Sequence, residues 1–255
     1  MQPWRTAIVE IEADQIRFHG YDIRSLMQRL TFAETIFLLH RGRLPTKDEG
    51  RLMDAILISA ADHGPGAPSV AAARLVASGN RQSVSAAVAA GILAIGNEHG
   101  GAGMECMQTI ATGMELSRSQ SISIPEAARR IVEDVRSRGA RLAGLGHRVH
   151  AEDPRTNILF SMARECGLTG DGVAFMLALQ ESAKEKIKPL TINVDGALAA
   201  VLYDLGFPAV FGRLAFLIGR VAGLTAEVAE ELAREKAMRI YIPVTYDGPP
   251  PREID

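Results

Sequence analysis

Four of the six histidines in this 255-residue chain stand in three stretches that contain glycine. They occur in DHGPG at residues 62–66, in NEHGGAG at 97–103 and in GLGHRVHAEDPR at 144–155. A fourth polar stretch, TINVDG at 191–196, places Asp195 just before a glycine. Each has a plainer use when taken alone. A histidine beside glycine at a helix end commonly caps that end or bonds within a turn. Asp195 suits the N-cap of a helix beginning at Ala197. His63, His99, His147 and Asp195 would be enough ligands for zinc, but no pair has the spacing of a metal motif, so no metal is expected. A serine hydrolase lacks its Gly-x-Ser-x-Gly elbow, and nucleotide chemistry lacks both a Walker loop and a strand-linked Gly-x-Gly-x-x-Gly.

The chemistry that fits is the making or breaking of a carbon–carbon bond beside a thioester carbonyl. It needs a carboxylate to move a proton at a carbon of high pKa. It needs a donor at the thioester oxygen, where enolate charge develops. A further acid/base must serve the partner's oxygen, and cations must hold the partner's carboxylates. Asp195, His99 and His147 can fill the first three roles, with Arg155 and Arg220 as clamps.

These groups need helices to carry them. Low aromatic content and abundant Ala, Leu and Glu favour an almost wholly helical protein. Val9 and Ile11 alternate with glutamates, and Ile16 and Phe18 flank Arg17, which predicts a short hairpin turning near Ala13–Gln15. From Asp22 the period changes, and Leu26, Leu30, Ala33 and Phe37 share one helix face. Pro45-Thr46 starts another helix. SVSAAVAAGILAIG, residues 83–96, reads as a buried helix whose small side chains allow close approach, as at a contact with another subunit. Pro125 opens a helix with Ala128, Ile131, Val132 and Val135 inward, and Gly139 stops it. Residues 171–186 and 225–238 read as helices, and DGPPPREID as an extended tail.

Bulk composition limits the partners. With 28 basic and 30 acidic residues the formal charge is −2, so no nucleic-acid partner is expected. The first residues lack a secretory apolar run, and no stretch has the length of a membrane span, so a soluble cytoplasmic protein is expected. Cys106 and Cys166 have neither metal-ligand nor disulfide spacing and are expected to be reduced core residues.

The ordered set DHG, HGG, GLGHRVH–DPR, NVDG and FLIGRVAG resembles the citrate synthase superfamily from about residue 20 to 240. The wording of ADHGP, TINVDG and FLIGRVAGLTAEV is similar to its citryl-CoA lyase branch, including the C-terminal lyase module of ATP-citrate lyase. That resemblance implies an all-α fold with a short N-terminal β-hairpin. It implies a large domain from 1–100 and 205–255 with a smaller domain, 101–204, inserted. It makes His99, His147 and Asp195 catalytic, and His63, Arg155 and Arg220 the holders of the carboxylates. Leu142, Ala143, Gly144, Leu145 and Gly146 would border coenzyme A, with Lys186 or Lys188 near its phosphates. The family's late arginine segment reads MRIYIPVTYDGP here, which leaves Arg239 as its equivalent. The implied reaction is cleavage of citryl-CoA to acetyl-CoA and oxaloacetate in a homodimer or larger homo-oligomer, with a separate citryl-CoA synthetase as a possible partner. Lyase modules often carry an aromatic where this chain has His99. Citrate synthase chemistry, a lyase for a related 3-hydroxy-3-carboxyacyl-CoA, and a non-catalytic subunit on the same fold therefore stay open.

Overall fold

The computed structural model describes residues 3–146 and 153–253. His147, with Arg148 and His150, lies outside the described residues. A three-stranded antiparallel sheet opens the chain, formed by β1 (Val9–Glu12), β2 (Gln15–Phe18) and β3 (Tyr21–Asp22) in that order. The predicted hairpin is β1–β2, with Val9 opposite Phe18 and Glu12 opposite Gln15. Eleven helices follow among the described residues: α1 (Ile23–Arg29), α2 (Phe32–Arg41), α3 (Lys47–Ala60), α4 (Pro68–Gly79), α5 (Val84–Leu93), α6 (Ala102–Ser119), α7 (Ile124–Ser137), α8 (Pro154–Glu165), α9 (Asp171–Lys186), α10 (Val194–Asp204) and α11 (Phe211–Arg234). The expected all-α architecture with a short N-terminal β-hairpin is the one observed among the described residues.

Local chemistry explains where helices start. The single helix expected from Asp22 is two, because Thr31 and Glu34 form a reciprocal capping box that begins α2 afresh. The Thr31 hydroxyl accepts from Glu34 N at 3.2 Å, and the Glu34 carboxylate accepts from Thr31 N at 2.7 Å. Two orphan amides are satisfied at the break, which offsets the lost helical turn. Thr46 and Glu49 repeat the device at α3. Pro125 sits in the first turn of α7, and Gly139 follows its C-cap at φ +63°.

The core centres on α10, where residues 196–202 are all buried. A helix that is apolar all round belongs inside the protein, and α6, α8, α9 and α11 pack around this one. Asp195 therefore stands at the head of the most enclosed helix. α11 begins well before the predicted start at 225 and ends at Arg234. Its glycines, which disguised it, serve close packing: a Cβ on Gly219 would come within 2.6 Å of the Leu57 carbonyl.

Two segments are less covered within this chain than a buried position implies. In α5 only Ala87 and Gly91 are buried, and Leu93 is 84% exposed. Its apolar character is not used inside this chain. Cys106 is buried, but Cys166 at the end of α8 is only partly so.

Candidate active site

Three helix N-termini and one face of α11 meet at the site. Ser69 lies in the first turn of α4, Asp153 caps α8, and Asn193 caps α10. Such N-termini present free N–H groups and partial positive charge, a setting suited to carboxylates. Asn193 Oδ1 accepts from Gly196 N at 3.1 Å. Asn193 is thus the cap that had been assigned to Asp195, and the Asp195 carboxyl is left for other work.

Arg220, 2% exposed, donates from Nε to the Ala60 carbonyl at 3.0 Å and from Nη1 to Ser69 Oγ at 3.1 Å. Its guanidinium also lies 4.7 Å from the Phe216 ring centroid. Ser69 Oγ in turn stands 2.8 Å from His99 Nε2, and the Ser69 N–H points to the same nitrogen at 3.3 Å. With Arg220 occupying a serine lone pair, the hydroxyl proton is directed at His99. His99 Nε2 then accepts, which assigns the ring proton to Nδ1. Burial lowers the His99 pKa, and the charges of Arg220 and His63 lower it further. The ring is a neutral donor, Nδ1–H.

Asp195 shows the opposite displacement. Burial raises its carboxyl above the usual carboxylate range and Asp153 adds to the rise, against the pull of Arg155 and Arg220. Asp153 itself is 2% exposed. Burial alone would raise it, but the Arg155 fork outweighs that and holds it below its ordinary value. Arg155 Nε and Nη2 each reach an Asp153 oxygen at 2.9 Å, while Nη1 donates to the Ser59 carbonyl of α3 at 3.2 Å. Asp153 also accepts from Val194 N at 3.1 Å, next to Asp195. Arg155 and Asp195 are therefore registered to each other through one buried carboxylate.

Of the sequence candidates, His99, Asp195, Arg155 and Arg220 interact with one another, and His63 is close enough to oppose charge on His99. Asp62 Oδ1 accepts from His63 N at 2.8 Å, which shapes that loop.

The stretch from Leu142 to Gly146 is stitched to the residues before Asp195. Gly146 N donates to the Thr191 carbonyl at 2.7 Å, and Asn193 Nδ2 donates to the Gly146 carbonyl at 2.7 Å. Gly144, at φ +81°, has no room for a Cβ, which would fall 2.7 Å from Cys106 Sγ and 2.8 Å from Gly196 Cα. Leu142 is buried in the core, and Ala143 and Leu145 pack partly buried against it. Lys186 pairs with Glu133 at 3.2 Å, whereas Lys188 is exposed.

Within this chain Arg239 stands apart from these residues. Its guanidinium forks onto Glu231 and pairs with Glu235 at 3.1 Å, in a network with Arg74. Glu231 lies roughly 16 Å along α11 from Arg220, at 1.5 Å per residue. Ser69 and Asp153 are the residues that sequence reasoning missed. A serine directly after the only proline of an alanine-rich helix start was the signal for Ser69.

The model of the citrate synthase C-terminal domain matches residues 2–51 and 46–241. The chain belongs to the citrate synthase family. Among solved structures, citryl-CoA lyase from Hydrogenobacter thermophilus superposes with a TM-score of 0.91 at 38% identity, covering 100% of this chain and 98% of that one. ATP citrate lyase from Methanothrix soehngenii, in complex with citrate and coenzyme A, gives 0.76 at 20% identity over 97% of this chain and 42% of its own, a likeness of fold. Citrate/2-methylcitrate synthase of Bacillus subtilis is 28% identical over 227 residues, 88% of this chain and 58% of its own. The chain spans about half the length of the curated relatives of the citrate synthase family that it matches. No helix among the described residues is long and apolar enough to cross a membrane.

Proposed function

We propose that the protein is a citryl-CoA lyase, cleaving citryl-CoA to acetyl-CoA and oxaloacetate. The observation that carries this reading is the opposed tuning of two groups: a neutral His99 with its proton on Nδ1, and an Asp195 biased toward its protonated form. In this reading His147 accepts the proton of the tertiary hydroxyl. That oxygen becomes the keto oxygen of oxaloacetate as the carbon–carbon bond opens. The bonding pair moves into the thioester as an enolate, whose oxygen takes a hydrogen bond from His99 Nδ1. Asp195 then delivers its proton to the enolate carbon, giving acetyl-CoA. Arg155, Arg220 and His63 hold carboxylates, and the backbone of Gly144–Gly146 with Lys188 borders the coenzyme. Closure of residues 101–204 against the rest would exclude water while the enolate exists. The likeness to a citryl-CoA lyase at 38% identity over the whole chain supports this direction.

The second reading is a condensing enzyme that also hydrolyses the thioester, and the similarity to a citrate synthase of Bacillus subtilis favours it. Incubation with citryl-CoA, followed by a dehydrogenase that consumes oxaloacetate, separates the two. Oxaloacetate release is the expected result. Free citrate with no oxaloacetate would sink the lyase assignment, and no turnover at all would favour a non-catalytic subunit. The substrate would come from a separate citryl-CoA synthetase in the cytoplasm.

The same reading includes a homodimer. Val84 is 52% exposed and Leu93 84% exposed on α5, and a second copy would bury them. Leu93→Glu should shift the protein toward monomer in sedimentation equilibrium. A parent protein that is already monomeric would remove the dimer from the proposal.

A further inference from the structure

The loop carrying His99 is held at two points, and only one acts on the imidazole. Gly96 and His99 close the loop through paired backbone bonds of 2.9 and 3.3 Å. Gly100, at φ +79°, leaves no room for a Cβ, which would lie 2.5 Å from the Phe216 ring. Phe216 meets the His99 ring edge to face, with centroids 5.9 Å apart. At the head of the loop, Arg213 Nη2 donates to Asn97 Oδ1 at 2.6 Å. The same nitrogen stands 2.8 Å from where a Cβ on Gly101 would be. Arg213, Phe216 and Arg220 are spaced i, i+3 and i+7, so they share one face of α11. Arg220 orients the His99 ring through Ser69, whereas Arg213 holds the Asn97 side chain two residues before it.

We propose that Arg213 is a positioning residue: by clamping Asn97 it fixes where the His99 loop, and with it the Nδ1–H donor, stands relative to the reacting thioester. The proposal rests on the functional reading above. A hydrogen bond from a cation to an amide oxygen is stronger than one between neutral groups, and a guanidinium lodged against Gly101 leaves the loop little room to shift. Loss of the clamp costs precision more than substrate binding, because neither Arg213 nor Asn97 is among the groups that hold the carboxylates.

The test uses Asn97→Ala, Arg213→Ala and their double variant in the full-length protein. Steady-state kinetics with citryl-CoA is measured alongside hydrogen exchange of the amides at 96–101. Each single variant should lower kcat about tenfold with KM changed by less than about twofold. The double variant should be no worse than the weaker single, since both remove one contact. Exchange should quicken at 96–101 and stay unchanged in α10. Arg213→Lys, which keeps a donor for Asn97, should recover part of kcat. Parental kcat in both singles, or effects that multiply in the double, would overturn the proposal. If the parent does not cleave citryl-CoA, the functional reading fails separately. Hydrogen exchange then decides the clamp alone: equal quickening at 96–101 in both singles and the double retains it, and unchanged exchange removes it.

Discussion

Asp195→Asn should cost roughly 10²–10⁴-fold in citryl-CoA cleavage while leaving the protein more stable above mildly acid pH. Burial is the largest influence on this carboxyl and raises its pKa, despite Arg155 and Arg220 nearby. Below the ordinary aspartate value of about 4, the residue is protonated both folded and unfolded and no charge has to be buried. As pH rises from there, the unfolded chain ionises freely while the folded one resists. Stability is therefore lost progressively until the folded pKa is passed. Asparagine fills nearly the same space with no charge to bury, and it cannot deliver the proton. Denaturation midpoints of variant and parent should coincide near the acid end and separate in the variant's favour as pH rises. Cleavage by the parent should fall as pH climbs through the same pKa, because the cleavage direction uses the protonated acid. A variant that retains parental turnover would remove Asp195 from the chemistry. One that melts below the parent at every pH would remove the buried-charge account.

Replacing Arg220 by leucine should reduce kcat/KM for citryl-CoA on the order of 100-fold or more. Three functions disappear together. The proposed carboxylate clamp goes; Ser69 loses the donor that directs its hydroxyl to His99; and the cation that helps depress the His99 pKa is gone. Stability moves less, because the unsatisfied Ala60 carbonyl costs about 1–3 kcal/mol while a cation burial cost is relieved. That burial cost is visible in the lowered pKa of Arg220 itself. Arg220→Lys keeps charge but not the fork that reaches Ala60 and Ser69 at once. It should still lose most of the activity. The acid limb of the pH profile should move to higher pH in the leucine variant, as His99 becomes easier to protonate. Equal activity in the lysine variant and the parent would show that charge alone suffices.

Sequence pattern reached the helices better than their packing. Thr46 and Glu49 were legible because a capping box is local chemistry, yet the same box at Thr31 and Glu34 was overrun by an apolar period that spans the break. Polar residues flanked by glycine led to the places where the structure brings His99, Asp195, Arg155 and Arg220 together. Ser69 and Asp153 stayed hidden because their value is non-local. A buried serine matters only when an arginine from residue 220 and a histidine from residue 99 arrive beside it. Arg239 was named by resemblance to an arginine that reaches across a dimer, a role that a single chain does not display. Its pairing with Glu231, eight positions back on a charged helix end, was decided by proximity that the motif did not encode. The exposure of α5 escaped because apolar composition reports what a helix can bury, not whether its own chain covers it.

Asp195 heads a helix whose next seven residues are all buried, and this has an evolutionary reading. Elsewhere a fold can drift in its interior while a separate loop preserves the chemistry. Here a substitution that tilts α10 also re-aims the Asp195 carboxyl, so selection on packing and selection on the proposed chemistry fall on the same residues. Exposed positions away from this axis can change more freely by comparison. The axis of this protein should be the part that changes last.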